Sequence, residues 1–279
     1  MDALVKSIID SESIAERVLQ ERGCIYTFLN PVSYLEAKRH VELFQQFEGI
    51  FADGKLMVDA IKILYGKSVI RRSFDMTSLA DQLFHYASVN NSSIYVVAST
   101  IEEVEKTINE IKDRNPGIII AGFRSGFFQD SAERENAINK LVGTEPDFLI
   151  IGMGAIKQER FLLEAKQQGF CGIGFTCGGF ISQTASKGSE MDYYPKWVDK
   201  YNLRFLYRMY KEPHTRKRYL KAGILFPIAM IASRLKGGIR QSGGEIFVLP
   251  LASSCQLRTN YGGLHNGISR LQVRNHSIF

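Results

Sequence analysis

Short apolar runs alternate with amphipathic segments through the middle of the chain. Runs of this kind at residues 93–98, 118–122, 147–152 and 171–176 predict buried strands. Residues 101–111 carry isoleucine and valine at helical spacing behind Thr100, a predicted helix cap. Further helices are predicted around residues 137–141 and at 157–168. Apolar strands that alternate with helices predict an α/β fold, with a mostly parallel sheet and helices on both faces.

The pattern before residue 90 is less regular. A strand is predicted at residues 24–29, and helices at residues 34–47, 54–64 and 77–87. Asp53 follows the apolar Ile50, Phe51 and Ala52 and precedes Gly54, which places it at a predicted strand-to-helix corner.

Ligands of parallel α/β sheets bind beyond the carboxyl ends of the strands. The loops expected there are residues 30–31, 51–54, 122–128, 152–158 and 176–179, and four of them contain glycine. Glycine allows close approach of a backbone to a ligand, and free N–H groups at a helix start favour phosphate. None of these loops matches a dinucleotide-binding or Walker motif, and Gly152-Met153-Gly154 alone is equally typical of a tight turn.

Composition restricts the protein class. The chain has 279 residues, 45% apolar and 23% charged, which excludes a disordered or collagen-like protein. Its four cysteines show no CxxC spacing, no secretory leader is recognisable, and its five histidines form no metal signature, so we predict a cytoplasmic protein. No uncharged run reaches the roughly 18 residues of a spanning helix, which predicts a soluble or peripheral protein.

Charge is distributed unevenly. The net charge of +6 divides into −5 for residues 1–203, +9 for residues 204–240 and +2 for residues 241–279. The basic segment contains a predicted amphipathic helix at 204–213 and an apolar run at 223–232. Such a segment suits a membrane interface, a core helix with a basic flank, or a nucleic-acid patch. The apolar run beside the basic cluster favours the membrane over nucleic acid.

Three carboxylates, those of Asp53, Glu159 and Asp75, are considered for a functional role. Asp53 is either a helix N-cap or a general base at a pocket mouth. Gln158 and Glu159 either open a solvated helix or contact a nucleotide, since an amide reads a base edge and a carboxylate accepts from ribose hydroxyls. The pair of Arg71 and Asp75 is more typical of a structural turn.

Motifs in a fixed order resemble the WecG/TagA/CpsF family of bacterial glycosyltransferases over roughly residues 20–220. The motifs are Tyr26–Pro31, Ala52-Asp53-Gly54, Arg72–Asp75, Asn115-Pro116-Gly117, Gly126-Phe127-Phe128, Pro146-Asp147, Gly152–Glu159, Cys177–Phe180, Pro195-Lys196-Trp197, Leu206-Tyr207-Arg208, Glu212-Pro213 and Arg218-Tyr219. Each motif is weak alone, whereas their order and spacing are specific.

The resemblance implies a Rossmann-like sheet and an inverting, metal-independent transfer from a UDP-sugar to a polyprenyl-diphosphate-linked saccharide at the inner face of the cytoplasmic membrane. It implies no cofactor, an anionic membrane surface as partner and no nucleic acid, and leaves a homo-oligomer open. Asp53 falls on the family's base, Gln158 and Glu159 on its nucleotide pair, and Arg208 and Arg218 on its diphosphate arginines. Asn30, Arg72, Asp75, Gly126, Gly154, Gly178 and Arg216 complete the predicted substrate site.

Some positions depart from the family pattern. Thr215, beside Arg216, replaces an arginine, Ile156 replaces a proline, and Phe180-Ile181 replaces a Phe-Asp pair of N-acetylmannosamine-transferring members. These departures favour a capsule or exopolysaccharide branch and leave the donor sugar undetermined.

The expected organisation is a catalytic core at residues 1–203, a basic membrane-docking helical appendage at 204–240 and a tail of unknown structure at 241–279. The alternative is a non-catalytic, membrane-docked scaffold of the same fold that binds a nucleotide.

Overall fold

The computed structural model of the protein describes residues 1–186, Pro195, Val198 and residues 203–239. A single six-stranded sheet organises these residues, and every strand pair in it is parallel. The strands are β1 (Ile25–Leu29), β2 (Gly49–Ala52), β3 (Ser93–Ala98), β4 (Ile119–Ser125), β5 (Phe148–Gly152) and β6 (Ile173–Thr176). Their spatial order is β2-β1-β6-β5-β3-β4. The predicted α/β, Rossmann-like fold is confirmed.

Helices fill the connections between the strands. Those before residue 100 are α1 (Ala3–Asp10), α2 (Pro31–Ala37), α3 (Val41–Phe44), α4 (Lys55–Tyr65) and α5 (Leu79–Val89). Those that follow are α6 (Ile101–Arg114), α7 (Ser131–Gly143), α8 (Lys157–Gln167), α9 (Phe180–Ala185), α10 (Arg204–Lys211) and α11 (Arg216–Ile239). Short 3₁₀ helices cover Ser11–Arg17 and Pro213–Thr215.

Two apolar layers cover the two faces of the sheet. Along β1, Ile25 and Leu29 join one buried cluster, and Tyr26 and Phe28 join the other, because successive side chains of a strand point to opposite faces. The first cluster also receives residues of α1–α4, α7, α8 and α11, and the second receives residues of α5, α6 and α9. Helices on both faces were predicted, and this is confirmed.

Several predicted element boundaries were wrong for local reasons. The predicted helix at 34–47 is two helices, because the chain turns at His40, whose N–H donates to Ala37 at 2.9 Å. β4 continues to Ser125, beyond the predicted end at residue 122, since it stays paired with β3 as far as Ala98. α5 begins at Leu79 rather than near residue 77, because the Asp75 carboxylate accepts from the Thr77 N–H in a turn.

α11 presents two apolar faces. Phe226 and Met230 are fully buried, and the Phe226 ring meets Tyr34 of α2 edge-on at 5.5 Å. On the opposite side of the helix, Ile228 and Ile231 are exposed. The apolar run predicted at 223–232 therefore supplies both a core-facing and an outward-facing surface.

Within the described ranges, none of the helices combines the length and the apolar content needed to cross a bilayer. Lys196 and Trp197 of the Pro195-Lys196-Trp197 motif and the tail at 241–279 lie outside the described residues.

Candidate active site

A cavity of about 1670 Å³ lies at the carboxyl edge of the sheet. Each of the six strands contributes a residue from its carboxyl end or following loop: Asn30, Asp53, Ser99, Gly126, Gly154 and Gly178 line the cavity. α10 and the first turns of α11 supply further lining residues. The parallel topology thus brings together loops that are far apart in sequence, at the edge where ligands of such sheets bind.

Asp53 lies directly after β2, half-buried in the cavity wall. Its N–H donates to the Leu29 carbonyl at 2.9 Å, which fixes its backbone to the end of β1. Its Oδ2 lies 3.5 Å from the Asn30 side-chain nitrogen. Burial raises the pKa of Asp53, and the nearby Asp75 adds to this, while Arg71, Asn30 and Arg204 oppose it. The carboxylate therefore holds a proton more readily than an ordinary aspartate does.

Asp53 does not cap α4 through its side chain. Gly54 occupies the N-cap position of α4 with φ +89°, and no side-chain hydrogen bond caps this helix. The carboxylate thus remains directed to the cavity, which removes the structural interpretation that the sequence had left open.

Asn30 is fixed in one orientation by the start of α2. Its side-chain oxygen accepts from the N–H groups of Val32 and Ser33 at 3.0 Å each. The Ser33 hydroxyl accepts from the Asn30 N–H at 2.9 Å, which completes a capping box. Since the oxygen is occupied, the amide nitrogen of Asn30 points to Asp53.

Glu159 is the centre of a buried polar network under the cavity. Its Oε1 accepts from the Thr27 hydroxyl and from the Gln158 amide, both at 2.9 Å, and its Oε2 accepts from the Ile156 N–H at 2.6 Å. Burial raises the pKa of Glu159, and these hydrogen bonds oppose the increase. Gln158 lines the cavity, and its oxygen accepts from the Gly178 N–H at 3.1 Å. The network links α8 to the loop after β6.

Two glycines of the lining have backbones that other residues rarely adopt. Gly154 has φ +81° and Gly178 has φ +57°. Gly126 is needed for space, because a Cβ there would lie 2.9 Å from the Met153 side chain and 3.2 Å from the Ala98 backbone. At these three positions the loops present backbone, and no side chain, to the cavity.

Asp75 joins the core to α10. Its Oδ2 accepts from Arg71 of the core and from Arg204 of α10, both at 2.6 Å. Oδ2 also accepts from the Ser73 hydroxyl at 2.6 Å, and Oδ1 accepts from the Thr77 hydroxyl at 2.7 Å. Burial alone would raise the pKa of Asp75, but the two arginines and the hydroxyls outweigh it and lower the pKa to about 2. The carboxylate is ionised and fully engaged by protein donors.

Arg208 extends from α10 over the loop after β6. Its Nε donates to Glu212 at 3.2 Å, and its Nη atoms lie 3.0 and 3.2 Å from the Gln183 side-chain oxygen once that amide is oriented to accept them. A Cβ on Gly179 would lie 2.9 Å from Arg208 Nη2, so the glycine permits this approach. A cation is thus held at the cavity wall, close to backbone N–H groups.

Tyr219 places a phenol in the same part of the cavity. Burial raises its pKa, Asp53 adds to the increase, and Arg208 and Arg218 oppose it. The Arg218 guanidinium lies 5.9 Å from the Tyr219 ring centre. The first turn of α11 therefore supplies Arg218 and Tyr219 to the cavity, and Tyr219 lies close enough to Asp53 for the two groups to interact electrostatically.

The family profile of the WecG/TagA/CpsF glycosyl transferases matches residues 6–240. The chain belongs to this family. It is a glycosyltransferase by that membership, as the motif order predicted.

Named relatives agree with the family. A UDP-Gal:alpha-D-GlcNAc-diphosphoundecaprenol beta-1,4-galactosyltransferase of Shigella boydii is 31% identical over 83% of this chain and 97% of its own length. An N-acetylglucosaminyldiphosphoundecaprenol N-acetyl-beta-D-mannosaminyltransferase of Staphylococcus aureus is 26% identical over 61% of this chain and 63% of its own length.

Most of the residues that the family resemblance singled out meet at the cavity. Asn30, Asp53, Asp75, Gly126, Gly154, Gln158, Gly178, Arg208 and Arg218 all line it. Glu159 does not line it and lies beneath Gln158, with only 1% of its surface exposed. In this glycosyltransferase Glu159 orders its neighbours instead of facing the cavity.

Two predicted arginines lie elsewhere. Arg72 is outside the cavity lining and forms an ion pair with Glu12, in which its Nη1 lies 2.8 Å from each carboxylate oxygen. Arg216 also lies outside the lining, and its Nε donates to the Met209 carbonyl at 2.8 Å. The first contact ties the segment between α4 and α5 to the Ser11–Arg17 3₁₀ helix, and the second ties the start of α11 to α10.

Sequence reasoning gave no substrate role to four lining residues. All four line the cavity. Arg71 and Arg204 are paired with Asp75, and Tyr219 lies in the first turn of α11. The Phe127 side chain is 69% exposed. Arg71, Phe127 and Tyr219 lie inside or next to family motifs, and Arg204 begins the basic segment. Only the folded arrangement shows that they share a cavity with Asp53.

Among the described residues, no three His, Cys, Asp or Glu side chains converge in a way that could hold a metal ion.

Proposed function

We propose that this glycosyltransferase moves a hexose from a UDP-sugar to a saccharide carried on polyprenyl diphosphate, with inversion and without a metal ion. The observation that carries the proposal is the Asp53 carboxylate, directed into a cavity at the carboxyl edge of the sheet and surrounded by arginines.

Asp53 would act as general base. Its raised pKa makes it a better proton acceptor than an ordinary aspartate, while it still ionises as the pH rises. An acceptor hydroxyl that loses its proton to Asp53 can attack the anomeric carbon from the face opposite UDP, which inverts that centre. The Asn30 amide, held toward Asp53 by the α2 cap, would orient the carboxylate and the attacking hydroxyl.

Arginines would stabilise the departing UDP. Arg208 and Arg218 line the cavity, and the glycine loops after β4, β5 and β6 bring backbone close to the same space. Cations placed where negative charge develops lower the barrier to its formation. We propose that these groups take the part that a metal ion plays in other glycosyltransferases.

The comparisons support a lipid-linked acceptor and galactose as donor sugar. Both named relatives act on GlcNAc-diphosphoundecaprenol, and the galactosyltransferase aligns over nearly its whole length. Ile181 also replaces an aspartate common among N-acetylmannosamine-transferring members, and its side chain is buried in the core. We therefore propose UDP-galactose as donor. Capsule or exopolysaccharide assembly stays a prediction.

The outward face of α11 supports a peripheral membrane location. Ile228 and Ile231 are exposed there, and the basic Arg216, Lys217 and Lys221 lie on the same helix. An exposed apolar stripe with adjacent cations is typical of a helix that lies in a membrane interface. We propose that this face docks on the anionic inner leaflet, where the acceptor lies.

The test is a transfer assay with GlcNAc-diphosphoundecaprenol and a panel of UDP-sugars, read by mass spectrometry of the lipid product. We expect a hexose to be added from UDP-galactose. Asp53→Asn should lower turnover by roughly 10²-fold or more, because general-base catalysis contributes about 10²–10⁴-fold. UDP binding should stay near that of the wild type, since Asp53 faces the attacking hydroxyl.

Asp81→Asn is the matched control, because Asp81 is an exposed aspartate in the first turn of α5 outside the cavity lining. It should transfer at the wild-type rate. A wild-type rate for Asp53→Asn would rule out Asp53 as the general base. Transfer from a different UDP-sugar, and none from UDP-galactose, would rule out galactose as the donor sugar.

A further inference from the structure

Three exposed apolar side chains form one part of the cavity rim. Leu56 is 50% exposed, Leu220 is 63% exposed and Ile224 is 67% exposed, and all three line the cavity. Leu56 lies in the first turn of α4, three residues after Asp53, and the other two lie one turn apart on α11. Apolar side chains grouped at the mouth of a cavity that also holds carboxylates and arginines mark a place where an apolar ligand enters.

The rim is built by two helices that begin at the cavity and run side by side. At their far ends, the Arg234 Nε of α11 donates to the Leu64 carbonyl of α4 at 3.0 Å, and its guanidinium lies 5.9 Å from the Tyr65 ring centre. At their near ends, Leu56 of α4 and Ile224 of α11 face the cavity. The opening between them is therefore bounded by helices on two sides.

Space is available in this opening. Gly223 lines the cavity beside Ile224, and a Cβ added to Gly223 would meet no atom within 4 Å. Glycine is unfavourable in the interior of a helix. At this position its missing side chain leaves space that a larger residue would fill.

Cations stand next to the apolar rim. Lys55 precedes Leu56, and Arg218 lies two residues before Leu220; both line the cavity. Lys55 pairs with Asp59 at 2.9 Å on the surface, and such exposed pairs contribute little, so the lysine is available to another anion. An apolar opening flanked by cations matches a ligand in which an apolar chain is joined to a diphosphate.

We propose that Leu56, Leu220 and Ile224 form a portal for the isoprenoid chain of the acceptor, with its diphosphate at Lys55 and its saccharide directed to Asp53. This portal rests on the proposed transfer to a lipid-linked acceptor. It is continuous with the outward face of α11, since Ile224 lies one turn before Ile228. The chain then passes from bilayer to cavity along apolar side chains.

The experiment compares two GlcNAc-diphosphate acceptors in detergent micelles, one with an undecaprenyl chain and one with a butyl chain. Leu56→Asp and Ile224→Asp should each raise the KM for the undecaprenyl acceptor about tenfold, because a charge in the portal opposes burial of an apolar chain. The kcat/KM for the butyl acceptor and the KM for the UDP-sugar should change less than about twofold.

Ile63→Asp is the matched control. Ile63 lies two turns after Leu56 on the same helix, is 79% exposed, and does not line the cavity. It should behave as the wild type with both acceptors. Equal losses for the two acceptors in the portal variants, or no loss in either, would overturn the portal.

Titration with farnesyl diphosphate separates this inference from the proposed function, because it measures binding without turnover. The wild type and Ile63→Asp should bind it, and Ile224→Asp should bind it about tenfold more weakly. A wild type that transfers no sugar but keeps this pattern would contradict the proposed function and leave the portal supported. Absence of binding to the wild type would overturn the portal.

Discussion

Ile156 has φ +72°, in the left-handed region that β-branched residues rarely adopt. Its N–H donates to Glu159 Oε2 at 2.6 Å, and its side chain packs against the first apolar cluster. The hydrogen bond fixes Glu159, which in turn holds Gln158 at the cavity wall. A single strained residue therefore contributes to the geometry of the candidate nucleotide site.

Proline is the usual residue of the family pattern at position 156. In this protein, Ile156→Pro should nevertheless lower the stability. Proline fixes φ near −65° and has no N–H, so the observed turn and the bond to Glu159 are both lost. We expect the free energy of unfolding to fall by about 3 kcal/mol in urea denaturation.

Ile156→Ala is the control for this substitution, because it keeps the N–H and removes only side-chain packing. It should lose less stability than Ile156→Pro. A proline variant as stable as the wild type would mean that the loop reaches Gln158 by another backbone path.

α10 is held over the cavity by charge rather than by apolar burial. None of its residues is buried, whereas Arg204 pairs with Asp75 at 2.6 Å and donates to the Thr77 hydroxyl at 2.8 Å. The Arg208 guanidinium is positioned only if α10 stays in place. Asp75 is therefore the side chain through which the core orders this element.

Asp75→Asn should lower the free energy of unfolding by about 2 kcal/mol at neutral pH, because the pKa of Asp75 falls from 3.8 to about 2 on folding. A carboxylate whose pKa is lower in the folded state than in the unfolded state stabilises the fold at pH values above the unfolded-state pKa. The difference between wild type and variant should therefore shrink as the pH falls from about 4 to about 2.

Urea denaturation across this pH range provides the measurement. Asp59→Asn is the control, since Asp59 forms an exposed pair with Lys55 and should change stability by less than about 1 kcal/mol. A difference for Asp75→Asn that stays constant to pH 2 would show that the ionised carboxylate is not its source.

The whole molecule is electrically and chemically asymmetric. The net charge of +6 is the sum of −5 before residue 204 and positive charge after it. In the described part, the basic residues accompany an exposed apolar stripe on α11, and the cavity opens at the start of the same helix. The asymmetry would orient the protein with its cavity mouth toward an anionic surface.

Ile228→Asp combined with Ile231→Asp should weaken binding to anionic liposomes by about tenfold or more, because two apolar side chains no longer enter the interface. Sedimentation with vesicles of phosphatidylglycerol and phosphatidylcholine measures this binding. Raising the salt concentration should weaken wild-type binding as well, since the contribution of Arg216, Lys217 and Lys221 is screened.

Val89→Asp is the control for the liposome experiment. Val89 is 65% exposed on α5, which belongs to the other apolar layer, and its substitution should leave liposome binding unchanged. Equal binding by the α11 variant and the wild type would exclude this face as the docking surface.

The sequence alone determined the fold class and the place of the candidate site. Apolar runs such as β3 and β5 are buried on both faces, so their pattern and the intervening helices suffice to predict a parallel sheet. The carboxyl ends of the strands then indicate which loops converge, and Asp53, Asn30 and Gln158 were found there.

Only the tertiary structure decided which of the candidate residues face the cavity. Arg71 and Arg72 are neighbours in sequence, yet one lines the cavity and the other pairs with Glu12. Gln158 lines the cavity, whereas the adjacent Glu159 is buried beneath it. On α11, Phe226 is buried and Ile228 is exposed. The side on which a side chain lies depends on packing between distant segments, so local patterns predicted the loops and helices but not these orientations.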